Sequence, residues 1–290
     1  MTPSLSIVIP AYNEEKSLPK FLPAVISFCK QKGYKLIVVN DGSKDATAKL
    51  LAGFSSESVL KVIHNKVNTG YGGALKKGVR AAETDFVITI DADGQHNLDD
   101  IEKMFTKCIE TDADMVVGNR GKSSGYYRSM GKWLIRKIAG LLMKLHIEDI
   151  NSGIKLYNTA LAKKYISICP ETMAYSDIIL LAFIYKRHLV VEMPVSINPR
   201  TEGVSTISTM TAFDTIKEIV NIVILFNPLR VFLPLGTLFI LAAVLWDIPI
   251  FMAGRGVSVG ALLGIVTGII FYFFGLLAQQ ISAFRKESLE

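Results

Sequence analysis

Short runs of apolar, largely β-branched residues recur along the first two thirds of the chain, at Leu5–Pro10, Lys35–Asn40, Leu60–His64, Phe86–Asp91, Met115–Gly118 and Leu189–Val195. Between them the apolar positions fall at helical spacing. Strands alternating with helices in this way predict βαβ units, and hence an α/β fold built on a doubly wound, mainly parallel, Rossmann-like sheet. Such sheets bind ligands outside the carboxyl ends of their strands. The residues that follow each run are therefore the ones to read for chemistry: Pro10-Ala-Tyr-Asn-Glu14, Asp41-Gly-Ser43, Asn65, Asp91-Ala-Asp-Gly-Gln-His96 and Asn119-Arg120.

The last quarter of the chain follows another rule. No charged side chain lies between Arg230 and Asp247, and Val257 to Ile281 is uncharged throughout. Each stretch is close to the ~20 apolar residues that cross a bilayer. A two-helix transmembrane hairpin is expected, with Asp247 and Pro249 in the turn before Gly254-Arg255-Gly256. The competing reading, a buried hairpin of a soluble core, sits poorly with so long an uncharged run. Phe213, Ile216, Val220 and Val223 form an apolar stripe just ahead of the first span. Met130, Leu134, Ile138, Leu141 and Leu145 form another, with Lys132, Arg136, Lys137 and Lys144 between them. Both read either as membrane-surface helices or as core-facing helices with solvated backs. The expected division is a domain over 1–210, an amphipathic juxtamembrane helix over 211–228, the hairpin over 229–284 and a tail over 285–290.

Composition agrees with two regimes in one chain. Half of the 290 residues are hydrophobic, and the excess lies in the hairpin. Met1 leads almost at once into a polar-flanked strand, with no secretory pattern. The large N-terminal part is therefore expected in the cytosol. Arg230 before the spans and Arg285-Lys286 after them place both ends of the hairpin there as well, with Arg255 alone opposing. The expectation is a multi-pass inner-membrane protein with a cytosolic domain. A net charge of +6 without an aromatic-interleaved basic stripe argues against nucleic acid and for anionic lipid or phosphorylated ligands. Cys29, Cys108 and Cys169 form no C-x-x-C pair, which fits small apolar fillers in a reducing compartment.

Two carboxylates one residue apart, Asp91 and Asp93, leave the fourth strand together. Hard cations such as Mg²⁺ or Mn²⁺ favour carboxylate and phosphate oxygens, so the pair suits a metal on the diphosphate of a nucleotide sugar. The metal would neutralise the charge that grows on a departing nucleoside diphosphate. Such a pair is common in solvated loops; its place at a strand exit is what sets this one apart. Tyr12 could stack on a base and Glu14 could bind ribose or a ring nitrogen, against the plainer reading of a helix cap. Asp41 ends the second strand, where an acid commonly reads the nucleoside. The glycine-rich turn Asn68-Thr-Gly-Tyr-Gly-Gly-Ala74 would admit close backbone approach to a ligand, or serve as a structural turn.

Together these residues resemble glycosyltransferase family 2, with its GT-A fold, and within it the polyprenyl-phosphate sugar synthases of the dolichyl- or undecaprenyl-phosphate mannose or glucose type. The resemblance runs from about Leu5 to Ser205. It implies nucleotide contacts at Pro10, Tyr12, Glu14, Asp41 and Asp91, and metal ligation at Asp91, Asp93 and Gln95. Asp149-Ile-Asn-Ser-Gly-Ile-Lys-Leu-Tyr157 looks like the family's D-x-x-x-G-F-K-L-F segment near the donor sugar, with Ile154 in place of the aromatic. Asn198-Pro-Arg-Thr-Glu-Gly-Val-Ser205 resembles its late R-x-x-G-x-S element, which would bring Arg200 and Ser205 to phosphate; Thr206 stands where a lysine usually follows. Arg120 and Arg128 are similar to arginines that hold the acceptor phosphate; for Arg128 a surface helix is the rival reading.

The resemblance implies transfer of a hexose from a UDP- or GDP-linked donor to a polyprenyl phosphate, with inversion at C1 and with Asp93, Asp149 and Arg200 as the catalytic set. A phosphate monoester, whose second pKa is near ~6, is already largely dianionic at neutral pH and needs no general base. Asp149 is then expected to orient the sugar or an arginine. Two alternatives stand beside this reading: a family member acting on a glycolipid or saccharide hydroxyl, and a catalytically silent nucleotide-sugar-binding membrane subunit. The absence of a Q-x-x-R-W-type element weighs against the first where processive synthases are concerned, and the intact acidic residues weigh against the second. Base, sugar, lipid length and assembly into a homo-oligomer stay open.

Overall fold

The structure, a computed structural model, describes residues 3–121, 147–150, 152–198, 224 and 227–287. Arg128, Arg200, Ser205, the basic stripe over 130–145 and the whole juxtamembrane stripe of Phe213, Ile216, Val220 and Val223 lie outside the described residues.

Seven strands form one sheet: β1 (Leu5–Ala11), β2 (Lys35–Asn40), β3 (Leu60–His64), β4 (Phe86–Thr89), β5 (Met115–Asn119), β6 (Lys155–Asn158) and β7 (Val190–Pro194). Their order across the sheet is β3-β2-β1-β4-β6-β5-β7. β1 pairs in parallel with both β2 and β4, and β5 with β7. All six expected strands are present. The seventh, β6, inserts between β4 and β5 and runs antiparallel to both, with Leu156 opposite Ile88 and Val116. A four-residue strand opening on a lysine carries no period-2 signal, and tertiary pairing alone creates it. The sheet is thus mainly parallel, as expected, with one reversed strand.

Helices α1 (Leu18–Lys32), α2 (Thr47–Ala52), α3 (Tyr71–Ala81), α4 (Leu98–Thr111), α5 (Thr159–Tyr165) and α6 (Tyr175–Tyr185) connect and cover the strands. α1 buries Leu18, Leu22, Val25, Ile26 and Cys29, the i, i+4, i+7, i+8, i+11 stripe of an amphipathic helix. α4 starts at Asn97, whose side chain accepts the Asp99 N–H, and places Asp99 and Asp100 in its first turn, where the helix dipole favours acids. The central strands bury both faces, as parallel strands do: Ile7, Val8, Ile9, Leu36, Val38, Val87, Ile88 and Leu156 are fully inaccessible. Each such side chain stabilises the domain by about 1.5–3 kcal/mol. The three cysteines are buried free thiols whose pKa burial pushes up to about 12, so they act as packing residues, as the sequence indicated.

The C-terminal helices α7 (Leu229–Met252) and α8 (Val259–Glu287) make a compact unit of their own. Both are long and apolar enough to cross a membrane, and only 17% of the most apolar window of each is buried inside the protein. They approach closely where a Cβ on Gly268 would lie 2.6 Å from the Gly236 carbonyl, and Thr237 Oγ1 meets the Tyr272 hydroxyl at 2.8 Å. α7 continues through Asp247 and Pro249 to Met252, so these two residues belong to the helix and not to the turn. The reason is electrostatic. Asp247 Oδ1 accepts the Ser258 N–H at 2.8 Å, placing an acid at the start of α8.

Candidate active site

The site gathers at the carboxyl edge of the sheet. β4 ends at Thr89, and two residues on Asp91 turns its carboxylate between three neighbours. Oδ1 accepts the Tyr71 hydroxyl at 2.9 Å, Oδ2 lies 3.6 Å from His96 Nε2, and Gly153 leaves room on the third side. A Cβ at Gly153 would stand 2.6 Å from Asp91 Oδ2. Burial works to raise the Asp91 pKa, but His96, Tyr71 and the Arg120 charge together hold it below the ordinary aspartate value. Burial and the neighbouring Asp91 push the Tyr71 phenol well above its usual range, so it remains a donor.

Asp93 sits in a tight turn in which Gly94 adopts a φ of 70°, and its Oδ1 accepts the Gln95 N–H at 3.1 Å. The turn is stitched to the stretch that follows β7: the Asn198 N–H donates to the Gln95 carbonyl at 2.9 Å, and His96 bridges Ile197. The loop carrying the expected metal ligands is therefore tied to the chain just after β7. Among the described residues, no three His, Cys, Asp or Glu side chains converge on one metal-sized point. Asp91, Asp93 and Gln95 supply hard oxygen donors of the right chemistry and in limited number, which suits an ion that keeps water and phosphate ligands.

On the side expected to hold the nucleotide, Tyr12 projects into solvent at 42% exposure beyond β1. Asn13 adopts a φ of 56°, and the stretch 13–15 is zipped to 43–47 by Asn13 N to Ser43 Oγ, Glu14 N to Thr47 Oγ1 and Ala46 N to Glu15 Oε2, at 3.0, 2.8 and 2.9 Å. The Glu14 carboxylate accepts the Ser17 hydroxyl at the head of α1. Asp41 directly follows β2, is 1% exposed and faces inward. Its Oδ1 accepts from Asn65 Nδ2, Thr69 Oγ1 and the Thr69 N–H at 2.5, 2.7 and 2.9 Å. It braces the 65–69 loop. The strand-end rule locates the residue without setting where its side chain points.

The glycine-rich turn is likewise filled by protein. The Gly72 N–H donates to the Glu171 carbonyl at 2.9 Å, and a Cβ at Gly70 or Gly72 would come within 2.4 Å of Glu171 O or 2.3 Å of Pro170 O. Its close backbone approach is to the segment 170–172, the structural of the two readings.

Across the site, Arg120 follows β5 and meets Asp149 through Nε at 2.7 Å, Nη2 at 2.9 Å and its own N–H at 3.2 Å. The pair is mostly buried, with the two side chains 27% and 12% exposed. Although burial works against its charge, Asp149, Asp91 and Asp177 raise the Arg120 pKa further. Lys155, 1% exposed, donates to the carbonyls of Ile150 and Ser152 at 2.8 and 2.7 Å and to the Ser176 hydroxyl. Burial pulls its pKa down to about 8, against the pull of Asp177 and Asp149 in the other direction. Sequence reading alone missed Tyr71, His96, Lys155 and Glu192. Lys155 and Tyr71 lie inside segments singled out for other reasons; Glu192 carried no signal.

Residues 6–166 match the family described as Glycosyl transferase family 2, and residues 227–284 match the GtrB C-terminal hairpin. A dolichyl-phosphate beta-glucosyltransferase of Dictyostelium discoideum is 29% identical over 181 residues, covering 55% of each chain. The chain thus spans about half the length of that relative. An undecaprenyl-phosphate 4-deoxy-4-formamido-L-arabinose transferase of Proteus mirabilis is 27% identical over 292 residues, covering 96% of this chain and 88% of its own. Among solved structures, glucosyl-3-phosphoglycerate synthase from Mycobacterium tuberculosis, in complex with Mn²⁺, uridine diphosphate and phosphoglyceric acid, superposes with a TM-score of 0.58 at 18% identity, over 76% of this chain and 78% of that one. The shared architecture is a GT-A-like sheet domain.

Proposed function

Because the chain belongs to glycosyl transferase family 2, we propose that it moves a hexose from a nucleotide-diphosphate sugar to a polyprenyl phosphate at a membrane surface. The pairing of Asp149 with Arg120 carries this reading. Both carboxylate oxygens are engaged by the guanidinium, so taking a proton would cost Asp149 the charge that holds the ion pair. A hydroxyl acceptor requires a base. A phosphate monoester, with its second pKa near ~6, arrives already ionised, and a planar, permanently charged arginine held in place is the group to receive it. The named relatives, whose acceptors are lipid phosphates by their titles, support the same choice.

In this scheme the nucleotide lies over the carboxyl ends of β1 and β2, with Pro10 and Tyr12 at its rim, Glu14 beside it and Asp41 contributing through the loop it braces. Asp91, Asp93 and Gln95 would hold Mg²⁺ or Mn²⁺, which when bound neutralises charge on the departing diphosphate. Tyr71 and His96 fix the Asp91 carboxylate. Arg120 directs an acceptor oxygen at C1; the new C1–O bond forms as the bond to the diphosphate breaks, and the anomeric configuration inverts. Arg128, Arg200 and Ser205 complete the phosphate contacts. The hairpin keeps the protein where the acceptor's phosphate emerges from the bilayer. The positive-inside bias of Arg230 and Arg285-Lys286 supports a catalytic domain at the cytosolic face of the inner membrane.

The test is incubation of the full chain with a panel of UDP- and GDP-hexoses, Mg²⁺ or Mn²⁺, and undecaprenyl or dolichyl phosphate, with the lipid product weighed by mass spectrometry. One hexose is expected to be added to the lipid phosphate, EDTA is expected to stop the transfer, and Asp149→Asn should lose less activity than Asp91→Ala. Transfer to a hydroxyl acceptor alone, or an Asp149→Asn defect as deep as Asp91→Ala, would overturn the proposal.

A further inference from the structure

β7 is the edge strand beyond β5, and its Glu192 lies in register with Val117, three residues before Arg120. The half-buried Glu192 carboxylate accepts the Glu148 N–H at 3.0 Å with each oxygen and the Asp149 N–H at 2.8 Å. Two successive amides thus point at one anion. Farther along the same loop, the Lys155 ammonium holds the Ile150 and Ser152 carbonyls. The loop is gripped by charges of opposite sign, each matched to the polarity of the backbone groups it meets. Asp149 lies between the two grips and turns its carboxylate onto Arg120. The mechanism uses Arg120 and Asp149 and gives Glu192 no chemical task.

We propose that Glu192 is a positioning residue for the acceptor phosphate: by fixing the amides of Glu148 and Asp149 it fixes the Asp149 carboxylate, which presents the Arg120 fork. This rests on the reading that Arg120 receives that phosphate. Hydrogen bonds to an ionised acceptor are about twice as strong as neutral ones. The loop's other attachments, at Lys155 and Arg120, persist without Glu192. Loss of the carboxylate therefore lets Asp149 and Arg120 wander while the sheet stays intact. The donor site, on β1, β2 and β4, has no contact with Glu192 among the interactions above.

The experiment is steady-state kinetics of the full chain in detergent with polyprenyl phosphate and the preferred nucleotide sugar. Glu192→Ala is expected to raise the KM for the lipid phosphate roughly tenfold, the worth of one charge-assisted hydrogen bond, and to leave the donor KM within about twofold. Glu192→Gln keeps an oxygen that accepts both amides and should recover most of the loss. Glu192→Ala made on Arg120→Lys should add less than it does alone, because the two act through one group. Calorimetric binding of the nucleoside diphosphate, unchanged in the variants, reports an intact domain; if the alanine variant does not purify folded, Glu192→Asp, which withdraws the charge by one methylene, must show the same split. Donor and acceptor KM rising together, or a glutamine variant no better than alanine, would overturn the role of Glu192. An Arg120→Lys variant with an unchanged acceptor KM would instead overturn the reading of Arg120 on which it rests.

Discussion

Gly153→Ala probes the site at its tightest point. A Cβ there would lie 2.6 Å from Asp91 Oδ2 and 3.3 Å from its Cγ. Non-bonded heavy atoms settle at about 3.5 Å or beyond, so the carboxylate must retreat by roughly 0.9 Å. The obstacle is the end of a side chain, not backbone, and the fold can give way there at a stability cost of about 1 kcal/mol. Function should not give way so cheaply. The retreat disturbs the 2.9 Å contact of Oδ1 with Tyr71 and shifts the oxygens proposed to meet the metal and diphosphate. A misplacement of about 1 Å in a catalytic constellation costs on the order of 100-fold in rate, or about 2.7 kcal/mol of barrier. Initial rates of lipid-sugar formation across a Mn²⁺ series, read beside thermal melting, separate the two effects. A folded Gly153→Ala protein with kcat/KM within about twofold of the parent would refute the placement of Asp91 at the reacting diphosphate.

Asp41→Ala should lower stability by about 1–3 kcal/mol in urea melts, since it removes the acceptor that Asn65 and Thr69 share in a buried loop; the donor KM should rise with it, because the loop borders the proposed nucleotide site. Lys155 imposes a pH dependence of definite sign. Its pKa is about 8 in the folded protein and 10.5 ordinarily. Below about pH 8 both states are protonated and the burial penalty is felt in full. Between the two values the unfolded chain binds more protons than the folded one, so this group makes stability rise with pH. Lys155→Met should flatten that rise in denaturation midpoints compared at pH 7 and pH 9.5, whatever its effect on absolute stability.

The strands that build the site were legible because each is an uninterrupted apolar run, and the rule that ligands bind at their carboxyl ends led directly to Tyr12, Glu14, Asp91, Asp93 and Arg120. The expectation that Asp149 orients an arginine matches the Arg120 geometry. What escaped were features made by contacts distant in sequence. β6 exists because β4 and β5 pair with it from both sides, not because four residues prefer extension. Glu192 meets a loop more than forty positions away, at Glu148 and Asp149, and no local pattern announces such a contact. The contacts of Asp41 with Asn65 and Thr69, and those of the glycine turn with 170–172, also escaped, since position along a strand says nothing of side-chain direction or of what fills a turn. Asp247 read as a turn residue because charge ends an apolar run, whereas its partner is the first amide region of the following helix.

The Asp149–Arg120 pair also weighs the two acceptor chemistries against each other. With a hydroxyl acceptor, protonation of Asp149 would dissolve its ion pair with Arg120 in every turnover. Separating a mostly buried, hydrogen-bonded ion pair costs about 3 kcal/mol at the low end, equivalent to more than 100-fold in rate. Nothing in the arrangement returns that cost, because Glu192 and Lys155 hold the loop in the paired geometry. With a phosphate acceptor the pair need never open. The guanidinium can keep Asp149 on one side and turn its remaining N–H groups to the incoming oxygens, since it carries five donors in one plane. An acceptor that brings its own negative charge thus allows a carboxylate to serve as a brace, and an acceptor with a long apolar tail accounts for a catalytic domain joined to two helices that can cross a membrane.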